Sequence, residues 1–239
     1  MTEWFEEWFG EEYLHAYPHR GDEDAARLVA FLGRAGIGGA GEVVLDLACG
    51  PGRHAAALGR CGARVVGLDL SRALLDAASR RGARPLVRAD MRRLPFCPAS
   101  FDVVLNLFTS FGYFAEESEH ALVVAEVARV LRPGGRFVLD FLNPPAVRAG
   151  LVPRDERRDG GITVVQERRL SDDGRFVIKS IHLSDHGRTF TERVRLFERG
   201  DLEALLAAQG IRAELGAGDY EGAVYGPSSP RLILIGRRA

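Results

Sequence analysis

Val43-Val44-Leu45-Asp46-Leu47-Ala48-Cys49-Gly50-Pro51-Gly52-Arg53-His54 joins an apolar run to an alanine-rich one through an acidic turn that carries two glycines. Val43 to Leu47 is apolar at almost every position, so it reads as a strand buried on both faces, and the run from Arg53 to Arg60 changes to helical composition. Gly50 and Gly52 give the backbone freedom and clear side chains from a place where a ligand must come close. Free amides at the start of the following helix favour a carboxylate or phosphate. The turn is built for a nucleotide-like cofactor.

Glycines alone do not say which one. Gly50-x-Gly52-x-x-Ala55 also fits the dinucleotide fingerprint, and Asp69 follows as an acid in either reading. Asp46 separates the two, because a carboxylate just before the glycines repels pyrophosphate yet suits a cofactor that carries an amine and a sulfonium. The cofactor this selects is S-adenosylmethionine.

The 239 residues suffice for one well-buried domain with a small elaboration, and 46% hydrophobic content supports a globular core. The 32 basic and 33 acidic residues nearly cancel, so no global field favours nucleic acid or a membrane surface. Lys179 is the only lysine, and arginine carries the remaining positive charge. Cys49, Cys61 and Cys97 are odd in number and lack zinc-ligand spacing, so neither a disulfide framework nor a metal site is expected. A reducing cytoplasm fits that usage. No apolar run reaches the roughly 18 to 20 residues of a membrane span.

Four segments follow from the patterning. Residues 1–40 read as a helical cap or lid: Trp4, Phe5, Trp8, Phe9 and Tyr13 recur at helical spacing between glutamates, and a second helix spans about Asp22 to Arg34. Residues 41–143 alternate strand and helix, with strands at Val43–Leu47, Arg64–Leu70, Pro85–Ala89, Asp102–Phe108 and Arg136–Phe141. That alternation makes the fold class α/β, a parallel sheet covered by helices on both faces. Residues 144–199 break the rhythm with three strands, Ile162–Leu170, Arg175–Leu183 and Arg188–Phe197, separated by turns at Ser171–Gly174 and Ser184–Gly187. They predict an antiparallel β insert after the fifth strand, placed to cover a cleft or support a homodimer. Residues 200–239 return to the core with a helix near Asp201–Gln209 and strands near Ile211–Leu215 and Leu232–Ile235.

Ligands of open parallel sheets bind beyond the carboxyl ends of the strands. Asp46 ends the first strand, Asp69 the second, Asp90 follows the third, and Asn106 to Tyr113 close the fourth. Asp69 is suited to accept from two ribose hydroxyls, with Leu70 over one adenine face. Asp90 is suited to accept from the adenine amino group while the Met91 backbone N–H reaches a ring nitrogen. An aromatic set, Tyr13, Tyr17, Phe108, Phe111, Tyr113 and Phe114, supplies acceptor-pocket walls, although Phe111 and Phe114 fit the core better. Tyr17 and Tyr113 are the candidates for polar contact at the reacting centre.

From about Val43 to Asn143 the chain resembles class I S-adenosylmethionine-dependent methyltransferases. LDLACGPGRH stands as the glycine motif, GLDLS ending at Ser71 as the ribose segment, and RADMRRLPF around Asp90 as the adenine segment. The amino-terminal aromatics, NLFTSFGYF from Asn106, EVARVLRPGGRFVLDFLN from Glu126, the insert and the ending SPRLILIGRR are similar to a bacterial subgroup of generally unassigned substrate. More distantly they are similar to sugar N-methyltransferases. The resemblance implies a Rossmann-like seven-stranded sheet whose last strand is antiparallel. It also implies Asp46, Ala48, Cys49, Gly50 and Gly52 near the methionine moiety, Asp69 and Leu70 at ribose, Asp90 and Met91 at adenine, and Asn106 and Leu107 completing the cofactor set. The acceptor would be a small molecule, with N-methylation favoured over O-methylation.

Rival readings are an RNA or protein methyltransferase, a non-catalytic S-adenosylmethionine-binding protein and a nicotinamide oxidoreductase. Asn143-Pro144-Pro145-Ala146 carries the tripeptide of base-amine methyltransferases but follows the fifth strand, not the fourth, and lacks the aromatic, so it reads as a corner into the insert. Arg154, Arg157, Arg158, Arg168 and Arg169 are interleaved with acids and read as a solvated ion-pair surface, not a nucleic-acid track.

Overall fold

Val44, Leu45 and Leu47 of β1 (Val43–Leu47) are fully buried, because the strand lies between β2 (Arg64–Asp69) and β4 (Phe101–Asn106), parallel to both. The structure, a computed structural model, describes residues 3–17, 22–159, 162–184 and 187–239. Asp185 and His186, in the second turn expected within the insert, lie outside the described residues. β3 (Leu86–Arg88) closes one edge of the sheet. On the other side stand β5 (Leu131–Leu142), β11 (Arg231–Arg238) and β10 (Ile211–Ala217). The seven strands run in the order β10-β11-β5-β4-β1-β2-β3, with β11 antiparallel to both its neighbours.

The period of two along each strand divides the apolar residues between two cores. Val44, Val103, Leu105 and Val138 face α3 (Asp22–Arg34) and α4 (Arg53–Arg60), where Leu28, Leu32 and Leu58 meet them. Leu45, Val104, Phe137 and Leu139 face α6 (Glu117–Val130) and α8 (Arg199–Ala207), against Val123, Val127, Leu202 and Leu206. α5 (Arg72–Arg80) begins at Ser71, whose Oγ accepts from the Leu74 N–H at 3.2 Å, as its sequence position predicts. β1 therefore ends at the point where the chain order reverses, between strands leading in opposite directions.

The insert has one strand more than the sequence reading, in the order β6 (Arg154–Asp159), β7 (Ile162–Leu170), β8 (Phe176–Leu183) and β9 (Arg188–Arg195), all antiparallel. β6 was expected as a solvated charged stretch. Its charges instead sit on an edge strand, where they leave the outer edge unattractive to another chain. Asn143 is a corner, as expected: its Nδ2 donates to the Gly226, Pro227 and Ser229 carbonyls at 3.0, 3.1 and 2.7 Å, and the prolines open α7 (Pro144–Gly150).

The amino-terminal helix is two helices, α1 (Trp4–Trp8) and α2 (Glu11–Ala16), broken at Gly10. Trp8 has no exposed surface and packs with Val164, Ile181, Leu183 and Phe190 of the insert. α1 and α2 are thus fastened to the insert, while Trp4, Phe5 and Phe9 reach Tyr113 and Phe114 of the core.

Gly52 caps α4 at φ +75°, and a Cβ there would lie 2.7 Å from the Ala78 Cβ and 3.0 Å from that of Ala83. Gly52→Ala is expected to cost about 1–3 kcal/mol through strain and overpacking, read as a lower denaturant midpoint. An unchanged midpoint would mean that the turn has room to relax.

Candidate cofactor and acceptor site

A cleft of about 1070 Å³ opens over the carboxyl end of β1. Asp46 is 1% exposed, and its Oδ2 has no hydrogen-bond partner among the described residues. Burial and the neighbouring Asp69 charge push its carboxyl up to about 7, against the pull of Arg53 and the Ala55 N–H. Beyond it the chain turns through left-handed Ala48, Gly50 and Gly52. Asp69 accepts from the Gly50 N–H at 2.8 Å and the Ser71 N–H at 2.9 Å, which ties the glycine turn to the end of β2. Burial raises the Asp69 carboxyl, and the Ser71, Gly50 and Leu70 amides restrain the rise. Cys49, held by its own N–H on the Leu68 carbonyl at 2.9 Å, packs where Gly67 has no side chain. Burial makes its thiol a poor acid.

Ala48, Cys49, Gly50, Asp69, Leu70, Asp90, Met91 and Leu107 all line the cleft, as do Tyr13, Tyr17, Phe108 and Tyr113. Asp46, Gly52 and Asn106 stand behind the wall instead. Asn106 is fully buried, with Nδ2 directed to the Leu47 carbonyl at 3.4 Å and Oδ1 unpartnered among the described residues. Phe111 is core, while buried Phe114 also borders the cleft.

Asp90 does not wait for a ligand alone. The Arg92 guanidinium grips its carboxylate, donating from Nε and Nη2 at 3.0 and 2.6 Å to Oδ2, and also reaches Glu119 at 2.5 Å. Partial burial works against the Asp90 charge, but Arg92 outweighs it and the carboxyl sits below its usual range. Nothing in the spacing of RADMRRLPF singled out Arg92.

The structure also reveals a support that sequence reasoning missed. Phe108 and Thr109 are left-handed at φ 56° and 64°, a costly conformation for side chains of that size. Fully buried Asp140 holds them: its carboxylate accepts from the Phe108 N–H at 2.9 Å, Tyr220 Oη at 2.9 Å and Arg231 Nε at 2.7 Å, and its carbonyl accepts from the Thr109 N–H. Arg53 lies 4.1 Å from the Phe108 ring centroid. His54, buried beside Arg53 and Arg231, is held neutral, its pKa lowered to about 3 mainly by burial.

The far wall comes from the cap and the insert. Lys179 Nζ donates to Tyr17 Oη at 3.0 Å and pairs with Glu192, which in turn accepts from Trp8 Nε1 at 2.6 Å. Arg168 pairs with Asp155. The arginines expected as a uniform solvated surface are therefore divided, with Arg168 turned into the cleft. Among the described residues no group of three metal-ligating side chains gathers, and no helix is long and apolar enough to cross a membrane.

The residues fit S-adenosylmethionine. An unpartnered buried carboxylate oxygen lies beneath the turn, and at Gly50 the space a side chain would take is open. The strand order reverses at β1, Asp46 precedes the glycines, Asp69 ends β2 and Asp90 follows β3. Residues 44–135 match a family model described as a methyltransferase domain.

The chain is 43% identical over 118 residues to a demethylmenaquinone methyltransferase of Clavibacter sepedonicus, a match covering 46% of each chain. The chain spans about half the length of the curated relatives it matches. Over nearly the whole chain it is similar to two solved structures. The sugar N-methyltransferase KedS8 from Streptoalloteichus is 28% identical, with a TM-score of 0.71 over 95% of this chain and 92% of that one. CalS10 with SAM bound, an amino pentose methyltransferase from Micromonospora echinaspora, is 27% identical, with a TM-score of 0.67 over 95% and 96%.

A cationic ligand beside Asp46 favours its ionised form, so cofactor binding near pH 7 should release about half a proton, and affinity should fall by up to about tenfold per unit of pH below that. Calorimetry in two buffers of different ionisation enthalpy reads the release directly. Asp46→Asn should abolish it; release unchanged in that variant would assign the proton to another group.

Proposed function

We infer that the protein transfers a methyl group from S-adenosylmethionine to a small-molecule acceptor, with nitrogen favoured over oxygen as the nucleophile. The observation that carries the reading is the buried Asp46 carboxylate, short of a partner, under a left-handed glycine turn joined to Asp69. An amine and a sulfonium satisfy that site, whereas a pyrophosphate would be repelled. The preference for nitrogen rests on similarity to a sugar N-methyltransferase and an amino pentose methyltransferase. Free thiols at Cys49, Cys61 and Cys97 accord with a cytoplasmic location.

When bound, the cofactor supplies an electrophilic methyl on sulfur. The chain then has to orient an acceptor lone pair, exclude water and take up a proton if the nucleophile carries one. Asp46 and the turn from Ala48 to Gly52 hold the methionine end, Asp69 and Leu70 the ribose, and Asp90 and Met91 the adenine. Asn106 and Leu107 set the end of β4 beneath them. Phe5, Phe9, Tyr13 and Phe108 form an apolar wall that keeps water from the reacting centre, and Tyr17 and Tyr113 give the acceptor its polar contacts. The cap acts as a lid over cofactor and acceptor.

Titration calorimetry with S-adenosylmethionine, its demethylated product and NAD tests the cofactor. The first two should bind one-to-one, and Asp69→Ala should weaken both by at least about tenfold. Binding of NAD alone would overturn the reading. With an acceptor found by transfer of labelled methyl, Tyr17→Phe and Tyr113→Phe should each slow turnover about 10²-fold at unchanged cofactor affinity. Full turnover in either variant would remove that tyrosine from the reacting centre.

A further inference from the structure

Three charged side chains stand abreast on the insert, and a fourth lies diagonally beside them. Arg168 of β7 lies directly opposite Lys179 of β8, and Lys179 directly opposite Glu192 of β9. Asp155 of β6 stands diagonally, opposite Gln166, and joins the row through its ion pair with Arg168. All four line the cleft, in the order acid, base, base, acid. The positions flanking the row on β8 and β9 are apolar, Val177 opposite Val194 and Ile181 opposite Phe190.

Sheet stability does not favour this row. Like charges placed directly opposite repel. Lys179 and Glu192 are also taken largely out of water, at 13% and 14% exposure, and the desolvation of a buried pair offsets most of its attraction. What the row does provide is unused donor capacity. An ammonium has three N–H donors, and the described residues engage two of those on Lys179, through Glu192 and Tyr17. Arg168 gives Nη1 to Asp155 and Nη2 to Gln166, and Nε makes no described hydrogen bond. Asp155 is 42% exposed, so water screens its hold on Arg168.

The spacing selects the sign of the partner. Arg168 and Lys179 are on neighbouring strands, about 5 Å apart across the sheet, while the two acids are separated by three strand spacings and a two-residue offset, roughly 16 Å. One anion bridges both bases, but one cation cannot reach both acids. We propose that Arg168 and Lys179 form an anion subsite in the acceptor half of the cleft, which takes a carboxylate or phosphate group carried by the methyl acceptor. Tyr17, bonded to Lys179, links this subsite to the reacting centre. The proposal rests on the methyl-transfer reading for the identity of the molecule that carries the anion, and on the row itself for the binding.

The test uses the full chain and its intrinsic fluorescence, since both tryptophans lie in the cap and Trp8 bonds to Glu192. Titration with sodium acetate and, separately, inorganic phosphate at ionic strength held constant with sodium chloride should give a saturable change for at least one of them. Tighter acetate identifies a carboxylate site and tighter phosphate a phosphate-ester site. Arg168→Gln and Lys179→Gln should each weaken binding at least tenfold. Glu192→Gln, which keeps an oxygen for Trp8 but removes the competing charge, should tighten it several-fold. A response no greater than that to chloride overturns the proposal, as does weakening by Glu192→Gln, which would mark the row as a structural brace. S-adenosylmethionine titrated into the same proteins separates the two readings. Loss of cofactor binding in the unaltered chain removes the methyl-transfer reading, while the anion titration still decides the subsite.

Discussion

Asp46 and Asp69 are buried near the ends of adjacent parallel strands, and the Asp69 charge adds to the cost of ionising Asp46. The cofactor end of the molecule is organised around that tension. Two backbone amides, from Gly50 and Ser71, stabilise Asp69, and those bonds require the turn after β1 to curl through left-handed conformations. The curl in turn brings Gly52 against Ala78 and lets Cys49 occupy the space left by Gly67. Asp46 has Arg53 and the Ala55 amide for relief, and one oxygen remains without a described partner. A cationic ligand offers that oxygen what the protein withholds.

The cleft joins two regions with different chemistry. On the core side, positions are set by the ends of buried parallel strands, where a carboxylate moves only if the sheet moves. The Asp140 cluster extends the same logic to the end of β4, holding Phe108 and Thr109 in a conformation they would not adopt unaided. On the insert side, positions are set by alternation along antiparallel strands, and charge is balanced within a single row. The proposed cofactor contacts therefore lie at the ends of buried parallel strands, and the proposed acceptor contacts reach onto the antiparallel insert.

Legibility in the sequence followed from the range of the interaction concerned. The core strands and the glycine turn were readable because burial on both faces leaves an unbroken apolar run and because the turn demands residues of one kind. Asp69, Leu70 and Met91 were legible as residues at or just beyond strand ends, and all three line the cleft. Asp140 was not legible, since its partners Phe108, Tyr220 and Arg231 lie 32, 80 and 91 positions away. β6 was hidden because its residues are charged on both faces, so period-two alternation left no apolar trace. Gly10 sat within a convincing helical stripe, and only its backbone conformation shows that the stripe is broken.

The bond from Trp8 to Glu192 joins residues 184 positions apart, and around it the cap and the insert share one small core. Neither segment has a finished surface without the other. Recombination between relatives that exchanged the insert alone would leave an indole nitrogen buried with nothing to accept from it. An exchange of the cap alone would expose the apolar face formed by Val164, Ile181 and Phe190. The first strip of the chain and the late insert therefore form a matched set, and only their joint exchange would leave that shared core intact.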